Sequence, residues 1–274
     1  MAPVSRRVGF MRYSVMLFSL AYTGVSIVTA LYVVIVTSSI IVSLIAIYCY
    51  SQVCANWHAL FVNSNKDYGV QVEEGEEQDS QSFCSECNIF KHKRSHHCPL
   101  CGHCVLKHDH HCFFLGTCIG LNNQCYFVIL CLYTGVGSLY LCLQIFLISD
   151  WIFHRWFNYL ELFMPFGYVF SLARSNSLFS AFLVVVYNLS ATIGMFCIYM
   201  FVIQVNLLCR SVTWHEFNSK TYLSKSQQLP TAWSNFKTNF GPDNLLNFIF
   251  PVMPKIPYFN KSKYPRVKYD ERIY

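Results

Sequence analysis

Residues Cys84–Asn123 read CSECNIFKHKRSHHCPLCGHCVLKHDHHCFFLGTCIGLNN and hold seven of the chain's fourteen cysteines and seven of its ten histidines. Cys84/Cys87 and Cys98/Cys101 are CxxC pairs, the usual way for a short chain to wrap a tetrahedral metal. Cys104 adds a half-knuckle, and His97, His111 and Cys118 supply further donors. Cysteines mixed with histidines at this spacing point to metal rather than to a disulfide framework, so a reducing compartment is expected. Two zinc ions need eight ligands. Cys84, Cys87, Cys98, Cys101, Cys104 and Cys118 with two histidines meet that demand and leave Cys112 outside it. Spacing does not say which ligand serves which metal.

Within this stretch, Asp109-His110-His111-Cys112 sets a carboxylate, two imidazoles and a thiol in consecutive positions. A zinc-bound thiolate is quenched, whereas an unbound thiol beside a histidine has the parts of an activated nucleophile. His110 can take the thiol proton, and Asp109 can orient His110 and stabilise its imidazolium. On the residues alone, a third, partial metal site or a wholly structural role for these four positions stays open.

Around this stretch the chain is apolar. Of 274 residues, 54% are hydrophobic, 17% aromatic and 12% charged, with a net charge of +6. Such a balance belongs to membrane proteins. Residues 1–12 carry Arg6, Arg7 and Arg12 without an acid and are expected to be a cytosolic N-terminus. From Tyr13 to Asn65 there is no Asp, Glu, Lys or Arg. At about 20 residues per span this predicts two transmembrane helices within 13–62, turning at Thr37-Ser38-Ser39. The run is too long for a signal peptide and is read as a retained span. Residues 63–82, with Glu73, Glu74, Glu76, Glu77 and Asp79, are an acidic cytosolic linker. The Cys/His domain occupies 83–125. Residues 126–149 make a third span, the aromatic-rich 150–176 a lumenal interfacial loop, and 177–209 a fourth span. Asn188, Gln204 and Asn206 in that span are read as packing hydrogen bonds. The tail, 210–274, carries ten of the twenty basic residues and is expected in the cytosol with the N-terminus and the Cys/His domain. The predicted fold is an α-helical integral membrane protein: four transmembrane helices with a small zinc-stabilised cytosolic domain between helices 2 and 3.

The motifs Cys84-x2-Cys87, Arg94-Ser95-His96-His97-Cys98-x2-Cys101-x2-Cys104, Asp109-His110-His111-Cys112 and Cys118-Ile119-Gly120, with Asn123 and Phe127, resemble the cysteine-rich domain of the DHHC protein S-acyltransferases. The resemblance implies that Cys84, Cys87, His97 and Cys104 hold one structural Zn2+ and Cys98, Cys101, His111 and Cys118 a second. It implies Cys112 as the acylated nucleophile, His110 as its base and Asp109 as the orienting group. The acyl donor would be a fatty acyl-CoA, and the acceptors cysteine thiols of membrane-associated substrate proteins at the cytosolic face. Location in a lipid bilayer, that of the endoplasmic reticulum or Golgi, is expected. CoA is anionic, and Lys91, Lys93, Arg94 and His96 form a basic group beside the module; the family contacts CoA through this stretch, which implicates Lys91 and Arg94. Gly137 falls where the family has a residue that caps the acyl-chain cavity.

Some positions depart from the family. Phe113-Phe114 stand where Pro-Trp usually follows the reactive cysteine, Thr117 replaces an Asn, and His92 replaces a common Pro. The family's Thr-Thr-x-Glu appears as Thr213-Trp214-His215-Glu216, and Asn235-Phe236-Lys237-x2-Phe240-Gly241 resembles its C-terminal motif. The rival from another class is a catalytically silent, zinc-stabilised membrane adaptor, which would need the ligands but not Asp109, His110 and Cys112. Nucleic-acid binding would call for a soluble basic domain and is not expected.

Overall fold

The structure is a computed structural model that describes residues 6–64, 71–72, 81–153, 178–219, 231–240, 246–250 and 267–268. Most of the acidic linker, the aromatic loop over 154–177 and the proline-punctuated end of the tail lie outside the described residues. Four long helices run over Arg6–Thr37 (α1), Ile40–Ser64 (α2), Gln124–Phe153 (α3) and Leu178–Cys209 (α4). Each contains a segment long and apolar enough to cross a membrane: Ser14–Thr37, Ile40–Ser64, Gln124–Ile148 and Phe182–Cys209. The turn between α1 and α2 sits at Ser38, whose φ of 48° breaks the helix. Val28, Leu31, Ile35, Ile41, Leu44 and Ile47 point outward. Outward-facing apolar side chains suit helices whose solvent is lipid.

The chain divides into two compact units. One comprises Leu20–Val53 and Cys131–Phe201, the greater part of the four helices. Its core is Val33, Leu141, Ile145, Ile148, Leu183 and Val186. Lipid offers no hydrophobic reward for joining helices, so close packing and polar contacts do the work. A methyl group added to Gly135 would lie 2.7 Å from Ile198, and one added to Gly194 2.8 Å from Leu139, so these glycines let α3 and α4 approach. The Tyr22 hydroxyl joins Ser138 of α3 at 3.0 Å and Ser190 of α4 at 3.1 Å.

The other unit comprises Met1–Ser19, Cys54–Leu130 and Val202–Tyr274 and carries the Cys/His domain. It is built of short antiparallel strands. Gln71–Val72 (β1), Gln81–Cys84 (β2), Ile89–His92 (β3) and Val267–Lys268, which as the last of the described strands is β8, make one sheet in the order β2-β3-β1-β8. Ser95–Cys98 (β4) pairs with His103–Leu106 (β5), and His110–Cys112 (β6) with Thr117–Ile119 (β7). The turn after each CxxC pair needs a left-handed residue, and Asn88 (φ 55°) and Gly102 (φ 73°) supply it.

Past α4 the chain forms a short helix over Trp214–Asn218 (α5), followed by Ala232–Phe240 (α6) and Leu246–Ile249 (α7). Thr213 caps α5, and Glu216 closes the reciprocal capping box with the Thr213 backbone N–H. Glu216 also takes the Arg94 guanidinium in a fork, Nε to Oε1 at 2.6 Å and Nη2 to Oε2 at 2.8 Å, while Nη2 donates to the Ser211 carbonyl at 2.9 Å. Asn235 caps the C-terminal end of α4 by donating to the Cys209 carbonyl at 2.9 Å. The retained Thr and Glu of the Thr-Trp-His-Glu segment thus clamp the tail onto the strand region of the Cys/His domain.

Burial raises the Glu216 carboxyl, but the Arg94 hydrogen bond and charge and the Thr213 N–H outweigh it and hold it below its ordinary value. A carboxylate with a depressed folded-state pKa stabilises the fold above its unfolded value and loses that contribution as pH falls through the folded value. Glu216→Ala leaves a buried guanidinium without its carboxylate, so a loss of about 3 kcal/mol is expected, read as a lower melting temperature in detergent. Glu216→Ala/Arg94→Met should recover part of that loss; equal melting of wild type and Glu216→Ala would contradict the clamp.

Candidate active site and metal centres

The separation of ligands follows from strand geometry. Successive side chains on a strand point to opposite faces, and alternate ones share a face. On β4 His97 and Cys98 therefore diverge. His97 lies opposite Cys104 in the β4–β5 register, and His111 opposite Cys118 in the β6–β7 register. Two clusters result, Cys84/Cys87/His97/Cys104 and Cys98/Cys101/His111/Cys118, each with its ligand atoms within 4.8 Å of one another. In the first, Nδ1 of His97 is 3.7 Å from Cys84 Sγ and 3.2 Å from Cys87 Sγ, and Cys104 Sγ is 3.7 Å from Cys87 Sγ. In the second, Nδ1 of His111 is 3.6, 3.3 and 3.5 Å from Cys98, Cys101 and Cys118, and Cys101 and Cys118 are 3.5 Å apart. A tetrahedron with zinc–sulfur and zinc–nitrogen bonds of about 2.3 and 2.0 Å has edges of about 3.5 to 3.8 Å. The donor sets fit such an ion in number, type and spacing.

The same alternation treats β6 differently. His111 faces the second cluster, while His110 and Cys112, two residues apart, share the other face. Cys112 is buried at 6% exposure and belongs to neither cluster. Its turn is closed by the Gly116 N–H on the Cys112 carbonyl at 2.8 Å, with Gly116 at φ 66°. His110 Nδ1 is 2.8 Å from Asp109 Oδ2, which leaves Nε2 for the thiol. The Phe127 ring meets the His110 imidazole edge-on at 5.0 Å between centroids. Burial alone would lower the His110 pKa, yet hydrogen bonds and charge from Asp109 and Cys112 raise it to about 10. Burial would likewise raise Asp109, but His110, the Trp214 N–H and Gln204 hold its carboxyl below the ordinary value. A charged imidazole is thus favoured between the carboxylate and the thiol.

Asp109 is more enclosed than the motif implies. Its Oδ1 accepts from the Trp214 backbone N–H at 2.7 Å and its Oδ2 from the Gln204 side chain at 2.7 Å. Asn188 and Asn206 bond the carbonyl four residues back in their own helix, as packing residues do, whereas Gln204 reaches the Asp109 carboxylate. No feature of the sequence distinguishes Gln204 from those asparagines, because the difference lies in which way α4 faces.

The residues singled out for CoA are placed unequally. Lys91 is half-buried, its Nζ donating to the Ser95 carbonyl at 2.6 Å and the Ser82 hydroxyl at 3.0 Å. Arg94 is 7% exposed, its guanidinium engaged by Glu216 and Ser211. Lys93 is exposed and His96 half-exposed, the latter stacked on His215 at 3.9 Å between centroids. Gly137 belongs to the helical unit, where it lines an apolar crevice with Val33, Ala46, Cys49, Leu141 and Gln144.

Compared with known families, residues 77–221 match the family described as DHHC palmitoyltransferase. The chain belongs to the DHHC palmitoyltransferase family. Palmitoyltransferase PFA3 of Eremothecium gossypii is 26% identical to this DHHC protein over 153 residues, which cover 56% of this chain and 42% of that one. Probable protein S-acyltransferase 14 of Arabidopsis thaliana is 33% identical over 73 residues, 27% of this chain and 24% of that protein. Palmitoyltransferase PFA3 of Kluyveromyces lactis is 39% identical over 62 residues, 23% and 19% of the two chains. The matched region thus spans less than half the length of these curated relatives.

The departures of this DHHC protein each have a place. The Phe113 ring packs edge-on against His111 at 5.4 Å, and the exposed Phe114 offers its carbonyl to the Ser19 hydroxyl at 2.7 Å. Thr117 is buried directly opposite Cys112. His92, at the Pro position, accepts the Arg94 N–H on Nδ1 at 3.1 Å. Burial, and then the Arg94 charge, lower its pKa to about 4, which keeps that acceptor neutral.

Purified protein is expected to carry two zinc ions per chain by elemental analysis. Structural zinc contributes directly to folding, so Cys98→Ser should lose one ion and give a protease-sensitive, aggregating chain. Full zinc content with wild-type solubility in Cys98→Ser would contradict the ligand assignment.

Proposed function

We propose that this chain is a protein S-acyltransferase that moves a fatty acyl group from acyl-CoA to a cysteine of a substrate protein through an acyl-Cys112 intermediate. One observation carries the reading. Cys112 stands outside both four-residue clusters and on the same strand face as His110, whose Nδ1 is held by Asp109 at 2.8 Å. A module needed only for its fold would require the eight ligands and none of these three, which disfavours the silent adaptor.

The proposed ping-pong runs through sulfur. The Cys112 thiolate, held against the His110 imidazolium, attacks the thioester carbonyl carbon. The carbon–sulfur bond to CoA breaks, and the departing thiolate takes the proton from His110. The substrate cysteine then gives its proton to neutral His110 and attacks acyl-Cys112, and Cys112 leaves as a thiolate. Asp109 keeps the imidazole in the tautomer that presents Nε2. The two clusters Cys84/Cys87/His97/Cys104 and Cys98/Cys101/His111/Cys118 would hold structural zinc, which would keep the strands in register.

Exposed Lys93 and half-buried Lys91 supply the basic edge for CoA phosphates; burial and the neighbouring His215 lower the His96 pKa to about 4, so that ring adds no charge there. Arg94 serves that edge from beneath, as the buried brace on Glu216. The domain, both termini and the substrate proteins are assigned to the cytosolic face, in a multi-pass protein of the endoplasmic reticulum or Golgi; the reducing chemistry of the thiols and the basic tail support this side. The acyl chain is assigned to the helical unit, where burying each methylene is worth about 0.8 kcal/mol.

Incubation with a fatty acyl-CoA analogue should give hydroxylamine-sensitive label on Cys112 and none on Cys112→Ser; resistant label, or equal label in both, would overturn the enzyme reading. Gly137 leaves the crevice open, since a methyl group there would sit 3.5 Å from Cys49 Cβ. Chains longer than palmitoyl are therefore expected as donors, and Gly137→Tyr should shift the autoacylation profile toward shorter ones. An unchanged profile would refute that role for Gly137.

A further inference from the structure

Asp109 is 1% exposed, and the two glutamines beside it, Gln204 and Gln124, are 0% and 1% exposed. Gln204 lies in the last turns of α4, and Gln124 is the first residue of α3. The Gln204 amide donates through Nε2 to Asp109 Oδ2 at 2.7 Å and accepts through Oε1 from Gln124 Nε2 at 3.1 Å. The direction of this chain follows from chemistry. An ionised carboxylate only accepts, so Gln204 must present its NH2 to Asp109 and its carbonyl to Gln124. Gln124 must then use its NH2 on Gln204, which leaves its buried Oε1 without a partner among the described residues. A buried acceptor in that state is costly. Apolar side chains would fill the same volume without that cost, so the amide chain must return something that packing does not.

What it returns is the aim of the carboxylate. Oδ2 receives two donors, Gln204 Nε2 and His110 Nδ1, and Oδ1 receives the Trp214 N–H. The three together fix the rotation of the carboxylate about its own axis, and with it the plane in which it holds His110. Removing the Gln204 donor leaves Oδ2 with the imidazole alone and lets the carboxylate turn about its bond to Trp214. The Trp214 contact comes from backbone and cannot be tuned by side chain, so Gln204 is the adjustable part of the clamp.

We propose that Gln204 is a positioning residue for acyl transfer, acting through Asp109 to hold His110 against Cys112, with Gln124 orienting the Gln204 amide. This rests on the reading of Cys112 as the acylated nucleophile. A hydrogen bond to a charged group of this kind corresponds to about 10- to 100-fold in rate. Because Gln204 is assigned no contact with the donor, the loss falls on the rate constant and not on half-saturation by acyl-CoA.

The test is single-turnover formation of hydroxylamine-sensitive acyl-Cys112 by the full chain in detergent, with a fatty acyl-CoA as donor. Gln204→Leu should form the intermediate about 10- to 100-fold more slowly, with unchanged half-saturation and zinc content. In an Asp109→Asn background the same change should cost nothing further, because its route is already cut. Gln204→Met, which keeps an unbranched chain of similar length, carries the same expectation where the leucine variant folds poorly. A rate within twofold of wild type in either variant, or an equal loss in both backgrounds, overturns the role of Gln204. Absence of Cys112-dependent label in the wild-type protein overturns instead the reading on which it rests.

Discussion

The two-residue period of a β-strand is the constraint on which this site depends. Neighbouring side chains on β4 and β6 cannot face the same way, so a run as dense as Asp109-His110-His111-Cys112 is sorted into two environments. His111 turns to Cys98, Cys101 and Cys118, and His110 and Cys112 turn together to the other face. A one-residue slip in the β6–β7 pairing would exchange these faces and place the thiol among the ligands. Gly116 and the Gly116 N–H bond to the Cys112 carbonyl guard that register at the turn. The metal-type donor and the Cys112 thiol therefore occupy two faces of one short strand.

Around this strand the fold spends its buried polar groups on two carboxylates. Glu216 joins the start of the tail to Arg94, and Asp109 collects donors from His110, Gln204 and the Trp214 backbone. Both carboxylates are almost wholly buried, at 4% and 1% exposure. Each is kept ionised by donors rather than by solvent, so each is rigid. The capping box at Thr213 brings these two demands together, because the helix it starts carries Glu216 and the segment it fixes carries the Trp214 N–H. The departure Trp214 costs nothing here, since the contact to Asp109 is made by backbone. The other departures pack beside the site without displacing a ligand or any of Asp109, His110 and Cys112.

Much of this was legible in the residues. Long uncharged runs marked four spanning helices, and Ser38, with its left-handed backbone, sits in the turn expected between the first two. Counting donors sets Cys112 apart from the ligands on sequence alone. The partition of ligands between the two clusters was carried by resemblance alone, and strand alternation now supplies its physical basis. Two features were not legible. Gln204 looks like Asn188 and Asn206 in sequence, and only the facing of α4 separates a carboxylate contact from an internal helix bond. Arg94 looks like its exposed neighbour Lys93, and only the position of Glu216, far along the chain, draws it inward. Both depend on long-range placement, which local pattern does not encode.

Both clusters are filled by eight residues without Cys112. Zinc-edge X-ray absorption of the purified protein measures the mean coordination directly. Three sulfurs and one nitrogen per zinc are expected, identical in wild type and in Cys112→Ser. A lower sulfur count in Cys112→Ser would place Cys112 on a metal and contradict this.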